Sequence, residues 1–182
     1  MLQHVDTYLY QKHFVEGLEH HLGRPLQPNV RHAFLQIPRH FFIEHVYHQR
    51  GNSLTWDFVE APALEDIYCD QALVTKIDEQ GRPICSSSQP SLMALQLEAL
   101  DVHRGHIALE IGTGTGYNAA LMSHLVGHGQ VVSIDIDEEL VSMAQHHLHQ
   151  AGVANVLVAQ ENGSAGYDFC LPYDRLLATC GV

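Results

Sequence analysis

Positive charge is scarce in this chain: nine Lys and Arg stand against 21 Asp and Glu, for a formal net charge of −12. Such a surface repels phosphate backbones and offers no basic patch to anionic lipid, so neither nucleic acid nor a membrane surface is an expected partner. Long apolar runs are missing as well. No stretch approaches the roughly 18 apolar residues of a membrane span. The amino terminus, MLQHVDTYLYQKHF, has no apolar core of signal-peptide length. Cysteine is sparse and unpatterned: Cys69, Cys85, Cys170 and Cys180 show no CxxC spacing and read as free thiols of a reducing compartment. The expected location is therefore cytoplasmic. Internal repeats and low-complexity segments are also lacking. What is present is a chain of 182 residues with 46% hydrophobic content, one domain's worth with a real core.

Histidine is abundant, at fifteen residues, but scattered. The densest group is His146, His147 and His149, on a helix after Leu140. His146 and His149 share a face, yet nothing acidic or sulfur-bearing in that stretch completes a ligand set. A solvated helix face is the expectation, and no metal is predicted.

The informative stretch is LEIGTGTGY, residues 109–117. Ile107–Ile111 reads as a buried parallel strand, and Tyr117–Val126 as a helix with apolar positions at Ala120, Leu121 and Leu125. Between them Gly112, Gly114 and Gly116 alternate with single residues. That spacing is tighter than the dinucleotide fingerprint and favours S-adenosyl-L-methionine over NAD. Glycines let the backbone turn sharply and approach a ligand, and a helix starting there directs partial positive charge at a bound carboxylate, worth roughly 0.3–1 kcal/mol. Glu110 would face the ligand's ammonium end, directly or through water. The alternative is a glycine-rich strand-to-helix turn that binds nothing.

A second acid supports the first. Val131, Val132, Ser133 and Ile134 form a short apolar run ending in Asp135, 19 residues after Gly116. The interval fits a helix, a turn and a strand, which places Asp135 at the carboxyl end of the neighbouring strand, where it can accept from ribose hydroxyls. Asp135 could instead cap the next helix, although Asp137, just before Glu138 and Glu139, suits that position better.

Three regions differ in character. Residues 1 to about 50 carry helical patterns, Val5, Leu9 and Phe14 in one and Val30, Phe34 and Ile37 in another, closed by Pro38. Residues 51–85 mix Pro, Gly and acids around a short apolar run at 72–77, which predicts loops and at most a brief strand. Residues 1–85 are thus expected to form a helical cap with a lid or crossover. Residues 86–182 alternate helix and strand, with strands at 107–111, 131–134, 156–159 and 176–179, the pattern of a parallel α/β sheet.

With these motifs assembled, the chain resembles the protein-L-isoaspartate O-methyltransferase family. The resemblance runs from IPRHFFI at Ile37 through YCDQALVTK at Tyr68, SSSQPSLMALQLEAL at Ser86, the glycine loop, VVSIDID at Val131 and ENGSAGY at Glu161 to YDRLLATCGV at Tyr173. It implies a Rossmann-like class I methyltransferase fold, α/β, with an N-terminal helical cap. It also implies a catalytic Ser88 beside the donor methyl and the acceptor carboxylate, with Ser86 in the same segment. Glu110, Gly112, Gly114 and Gly116 are implied at the amino acid end of S-adenosyl-L-methionine, Asp135 at its ribose, and Asn162 with Gly163 near its adenine. Ser88 could also cap the helix after Pro90, as could Ser87 or Ser91.

The implied activity is methyl transfer to a carboxylate of a peptide or protein, most directly the L-isoaspartyl one. Two departures from the family pattern matter. Ile84, Cys85 and Ser86 stand where a GQT-type segment is usual, which leaves another peptide or small-molecule carboxylate open as acceptor. The family's sheet also continues beyond the strand at 176–179, so the chain is expected to be truncated after its fourth strand. That would leave an apolar edge for a homo-oligomer or a partner to cover, and would leave a non-catalytic cofactor-binding module as an alternative.

Overall fold

A computed structural model describes residues 7–51, 54–170 and 172–180. Val5, placed in the first helical pattern, lies outside the described residues. The amino-terminal part is helical as expected: α1 (Thr7–Leu22) and α2 (Pro28–Gln36) bury Phe14, Val15, Leu18, Val30, Ala33 and Phe34. Pro28 sits in the first turn of α2, where its missing N–H costs nothing, and the helix stops at Ile37, which precedes Pro38 and is extended.

Residues 45–87 depart from the expectation. They form an antiparallel four-stranded sheet in the order β2-β1-β3-β4, from β1 (His45–Gln49), β2 (Trp56–Glu60), β3 (Leu73–Ile77) and β4 (Pro83–Ser87), with a four-residue helix α3 (Leu64–Ile67) between β2 and β3. Each strand has only five residues, so its two-residue period is brief and easily lost among neighbouring acids and turn formers. Trp56 and Phe58 do alternate with Asp57. The β3–β4 hairpin is closed by Asp78, whose carboxylate accepts the N–H groups of Gln80 and Arg82 at 2.9 and 2.8 Å.

The remaining elements are α4 (Pro90–Leu100), β5 (Ile107–Ile111), α5 (Tyr117–Val126), β6 (Gln130–Asp135), α6 (Glu138–Gln150), β7 (Val156–Gln160) and β8 (Arg175–Ala178). These four strands make a wholly parallel sheet in the order β7-β6-β5-β8. The chain therefore winds outward from β5 through β6 to β7 and then returns across the sheet to pair β8 on the other side of β5. Alternate strand residues serve two cores. Ala108, Val131 and Val158 join the main core under the helices, whereas Leu109, Ile111, Val132 and Ile134 form a smaller cluster against Tyr167 and Tyr173 of the β7–β8 connection. Beyond that cover, Leu176 of β8 is 53% exposed, and β8 pairs only with β5 among the described residues. No helix among the described residues is long and apolar enough to cross a membrane.

The turn that feeds β6 leaves no room for a side chain. A Cβ on Gly129 would lie 2.1 Å from the backbone oxygen of His106, which itself accepts the N–H of Gln130 at 3.1 Å. Gly129→Ala must push β5 and β6 apart at their start. Thermal unfolding should show a loss of about 2 kcal/mol or more, a fall of roughly 4–8 °C in Tm for a chain of this length; an unchanged Tm would contradict this packing.

Candidate functional site

The strand order creates the site. Between β5 and β8 the winding direction reverses, and in open α/β sheets the crevice at the carboxyl ends of such strands is where ligands bind. A cleft of about 640 Å³ opens there. One wall is the segment 83–88, from β4 and the turn into α4. The other is the glycine loop 112–115, with Asp135 at the end of β6, Ile136 and Asp137 after it, and Thr179 and Cys180 after β8. The antiparallel sheet missed in the sequence thus supplies half of the cleft.

The glycine loop depends on backbone that other residues rarely adopt. Gly112 (φ +99°) and Gly116 (φ +84°) are both left-handed. A Cβ on Gly112 would meet Thr179 Oγ1 at 2.8 Å and Cys180 Sγ at 3.0 Å, and one on Gly116 would meet Ala144 of α6 at 3.1 Å. Gly116 is the N-cap of α5 and belongs to the packing of α5 on α6 rather than to the cleft wall. Most loop amides are already engaged within the protein. Gly112 and Thr113 donate to the Ile134 oxygen at 2.8 and 3.2 Å, Gly116 donates to that of Thr113 at 2.9 Å, and Gly114 donates to Asp135 Oδ2 at 3.1 Å.

Asp135 stands on the cleft wall, half-buried. Its second oxygen, Oδ1, accepts the N–H of Asp137 at 3.2 Å. Each carboxylate oxygen keeps a free lone pair, so two further donors can be accommodated. Asp137, not Asp135, caps α6, accepting from the amides of Glu139 and Leu140. Asp137 also takes Nζ of Lys76, on β3, at 2.6 Å, and Lys76 reaches Glu139 at 2.6 Å as well. Burial opposes the charge on Asp137, yet the ammonium of Lys76 and the helix amides hold its pKa below the ordinary carboxylate value. Lys76 ties the antiparallel sheet to the cap of α6, a long-range pair that no local pattern signals.

Glu110 lies beneath the loop rather than in the cleft. It is fully buried, and its carboxylate accepts Ser133 Oγ at 2.6 Å and Asn118 Nδ2 at 2.7 Å. With Ser133 donating to Glu110, the Thr113 hydroxyl, 2.7 Å away, must donate to Ser133. Burial, helped by the nearby Asp135, raises the Glu110 pKa to about 7 against the two hydrogen bonds that favour its ionised form. Asn118, on the first turn of α5, lines the cleft where Glu110 does not.

Ser86 and Ser88 both line the cleft, Ser86 exposed and Ser88 half-buried. No serine caps α4: its N-cap is Gln89, without a side-chain bond, and the amide of Ser91 is taken instead by Asp70 Oδ1 at 2.8 Å. Asn162 and Gly163 are not brought to the cleft wall. Asn162 is exposed and caps the short turn Gly163–Ala165, accepting the Ser164 amide at 3.0 Å, while Gly163 abuts Ile111, where a Cβ would come within 2.2 Å. The thiols of Cys85 and Cys180 face the cleft, and burial raises the pKa of both. All four cysteines are free. Of the histidines on α6, His146 and His149 are exposed, but His147 is buried and donates Nδ1–H to the oxygen of Thr115 at 2.9 Å, so that part of the helix is no solvated face. Among the described residues no group of three or more His, Cys, Asp or Glu could hold a metal ion.

Comparison with known proteins agrees with this architecture. The family model for protein-L-isoaspartate(D-aspartate) O-methyltransferase matches residues 10–182. The protein-L-isoaspartate O-methyltransferase of Methanosarcina mazei is 39% identical over 173 residues, covering 94% of this chain and 61% of the relative. That of Pyrococcus horikoshii is 34% identical over 182 residues, covering 100% of this chain and 72% of the relative. A solved protein-L-isoaspartate O-methyltransferase superposes with a TM-score of 0.77 at 32% identity, over 94% of this chain and 48% of that one. A Plasmodium falciparum structure in complex with S-adenosyl-L-homocysteine shares the fold, with a TM-score of 0.63 at 18% identity, over 84% of this chain and 63% of that one. The chain thus spans only part of the proteins it matches. Over residues 10–182 it belongs to the protein-L-isoaspartate(D-aspartate) O-methyltransferase family.

Proposed function

We propose that this chain binds S-adenosyl-L-methionine in the cleft between the glycine loop and residues 83–88 and directs methyl transfer to the L-isoaspartyl carboxylate of a peptide or protein. The observation that carries this reading is the convergence of Asp135, the loop 112–115 and Ser86 to Ser88 on one cleft at the reversal of strand order. The residues present fit the cofactor. Asp135 keeps lone pairs for a vicinal diol, and Gly114 (φ +51°) presents bare backbone to the cleft, where a Cβ would project toward the opposite wall, 3.5 Å from Cys85 Sγ.

When bound, the cofactor supplies an electrophilic methyl on a sulfonium. A carboxylate with an ordinary pKa near 4 is already ionised at neutral pH, so this chain need hold no general base. Its task is alignment and exclusion of water, which can contribute roughly 7–11 kcal/mol. The Ser88 hydroxyl, which bonds no other described residue, is assigned to hold the acceptor oxygen. Asp135 is assigned to the ribose hydroxyls. Glu110 is assigned to offset the ligand's ammonium from within the protein, where low dielectric lengthens its reach. Asn162 and Gly163 follow Glu161, whose N–H donates to the backbone oxygen of Asp135 at 2.9 Å, and are assigned to the adenine end.

Labelled methyl transfer to an isoaspartyl peptide, with release of a base-labile ester, tests the reading; no transfer above the level of the matching aspartyl peptide would overturn it. Ser88→Ala should lower kcat by roughly 10- to 100-fold, the worth of one hydrogen bond to a charged group, with cofactor affinity unchanged. Unchanged turnover would remove Ser88 from the mechanism.

Glu110 adds a pH dependence whose sign is fixed. Its native pKa of about 7 lies above the ordinary 4.5, so the native state holds the proton more tightly, and stability falls as pH rises from about 4.5 to 7. The loss is on the order of 3 kcal/mol. A bound ammonium favours the ionised form, so cofactor affinity should rise through the same range. Calorimetry and thermal melts at pH 5.5 and 8 should show both trends in the wild type and flatter ones in Glu110→Gln; identical profiles would contradict the assignment.

A further inference from the structure

Among the described residues Arg39 is the largest fully buried side chain, and no carboxylate hydrogen-bonds its guanidinium. Nη1 donates to the backbone oxygens of Ile67 and Cys69, both at 2.8 Å. Nη2 donates to the oxygen of Gln71 at 3.1 Å, to that of Ser88 at 3.3 Å and to Ser87 Oγ at 3.4 Å. Burying a cation is costly, and here carbonyl dipoles from two separate segments compensate it. One is the turn 67–71. The other is the cleft wall at Ser87 and Ser88.

The same turn reaches that wall by a second route. Asp70 accepts the amide of Ser91 at 2.8 Å and lies 3.5 Å from Gln89 Nε2, so its carboxylate supplies the cap that Gln89 lacks at the start of α4. The segment 88–91 is thereby held at its first residue by Arg39 and at its last by Asp70. Both holds are on the backbone, which leaves the Ser88 side chain unengaged on the cleft wall.

We propose that Arg39 and Asp70 are positioning residues that fix the backbone of residues 88–91 from both ends and so set where the Ser88 hydroxyl stands relative to the glycine loop. The catalytic consequence rests on the function proposed above; the positioning itself does not. Lys in place of Arg39 keeps the charge but not the planar fork that reaches Ile67, Cys69, Gln71 and Ser88 together. Asn in place of Asp70 keeps an acceptor for the Ser91 amide, whereas Ala does not.

Two readouts test the proposal on Arg39→Lys, Asp70→Asn and Asp70→Ala. Amide hydrogen exchange across 88–93 is independent of activity. It should quicken at least tenfold in Arg39→Lys and Asp70→Ala, with Asp70→Asn close to wild type, while the amides of β5 and β6 keep their protection. Methyl transfer should lose roughly 10- to 100-fold in kcat in Arg39→Lys and Asp70→Ala, with the Kd for S-adenosyl-L-homocysteine within about threefold. Unchanged exchange across 88–93 in folded variants overturns the proposal, as does a uniform rise across the whole chain. Wild-type protein that transfers no methyl would sink the functional reading alone, and the exchange data would still decide the positioning. Should Arg39→Lys fail to fold, the contrast between Asp70→Ala and Asp70→Asn carries the test.

Discussion

The chain must reverse direction within five residues at the end of β5, between a strand buried on both faces and a helix buried along most of its length. Three left-handed glycines make the turn, and the cleft follows from how tightly it is made. Gly112 brings the backbone against Thr179 and Cys180, just past the strand that rejoins the sheet on the far side. Gly116 lets α5 press on Ala144 of α6. The acids are organised around the same turn. Asp135 accepts the amide of Gly114 and faces the cleft, while Glu110 sits underneath in a closed set of hydrogen bonds with Ser133, Thr113 and Asn118. One acid is thus available to a ligand by contact and the other by field.

The second constraint comes from outside the parallel sheet. The cleft has a far wall because a small antiparallel sheet delivers Pro83–Ser87 opposite the glycine loop, and because Lys76, one strand back, is anchored on Asp137 and Glu139 at the cap of α6. Arg39 and Asp70 then join that wall to the turn 67–71. Residues far apart in the chain are set against one another by a few polar contacts in places where apolar packing alone would leave their register loose.

Much of the parallel half was legible in the sequence, and for a physical reason. Strands buried on both faces read as continuous apolar runs, and the helices between them repeat at 3.6 residues, so β5, α5 and β6 lie where their patterns put them. The antiparallel half was not legible, because five-residue strands interrupted by Asp, Gly and Pro carry too few periods to stand out. Nor can a pattern tell which face of β5 a helix covers, so the burial of the Glu110 carboxylate against Ser133 and Asn118 is visible only in the structure. Asn162 and Gly163 rested on resemblance alone, and here they make a capped turn on Ile111. Arg39, Asp70 and Lys76 act over 21 to 63 residues of chain, a separation at which no spacing rule speaks.

The central claim is that the cleft beside the glycine loop is a sulfonium nucleoside site gripped at its ribose by Asp135. A crystal of this chain grown with S-adenosyl-L-homocysteine tests it most directly. Density is expected along residues 112–115, with both ribose hydroxyls at Asp135 and the sulfur turned toward Ser88. An empty cleft at saturating ligand, or the nucleoside bound elsewhere, would contradict it.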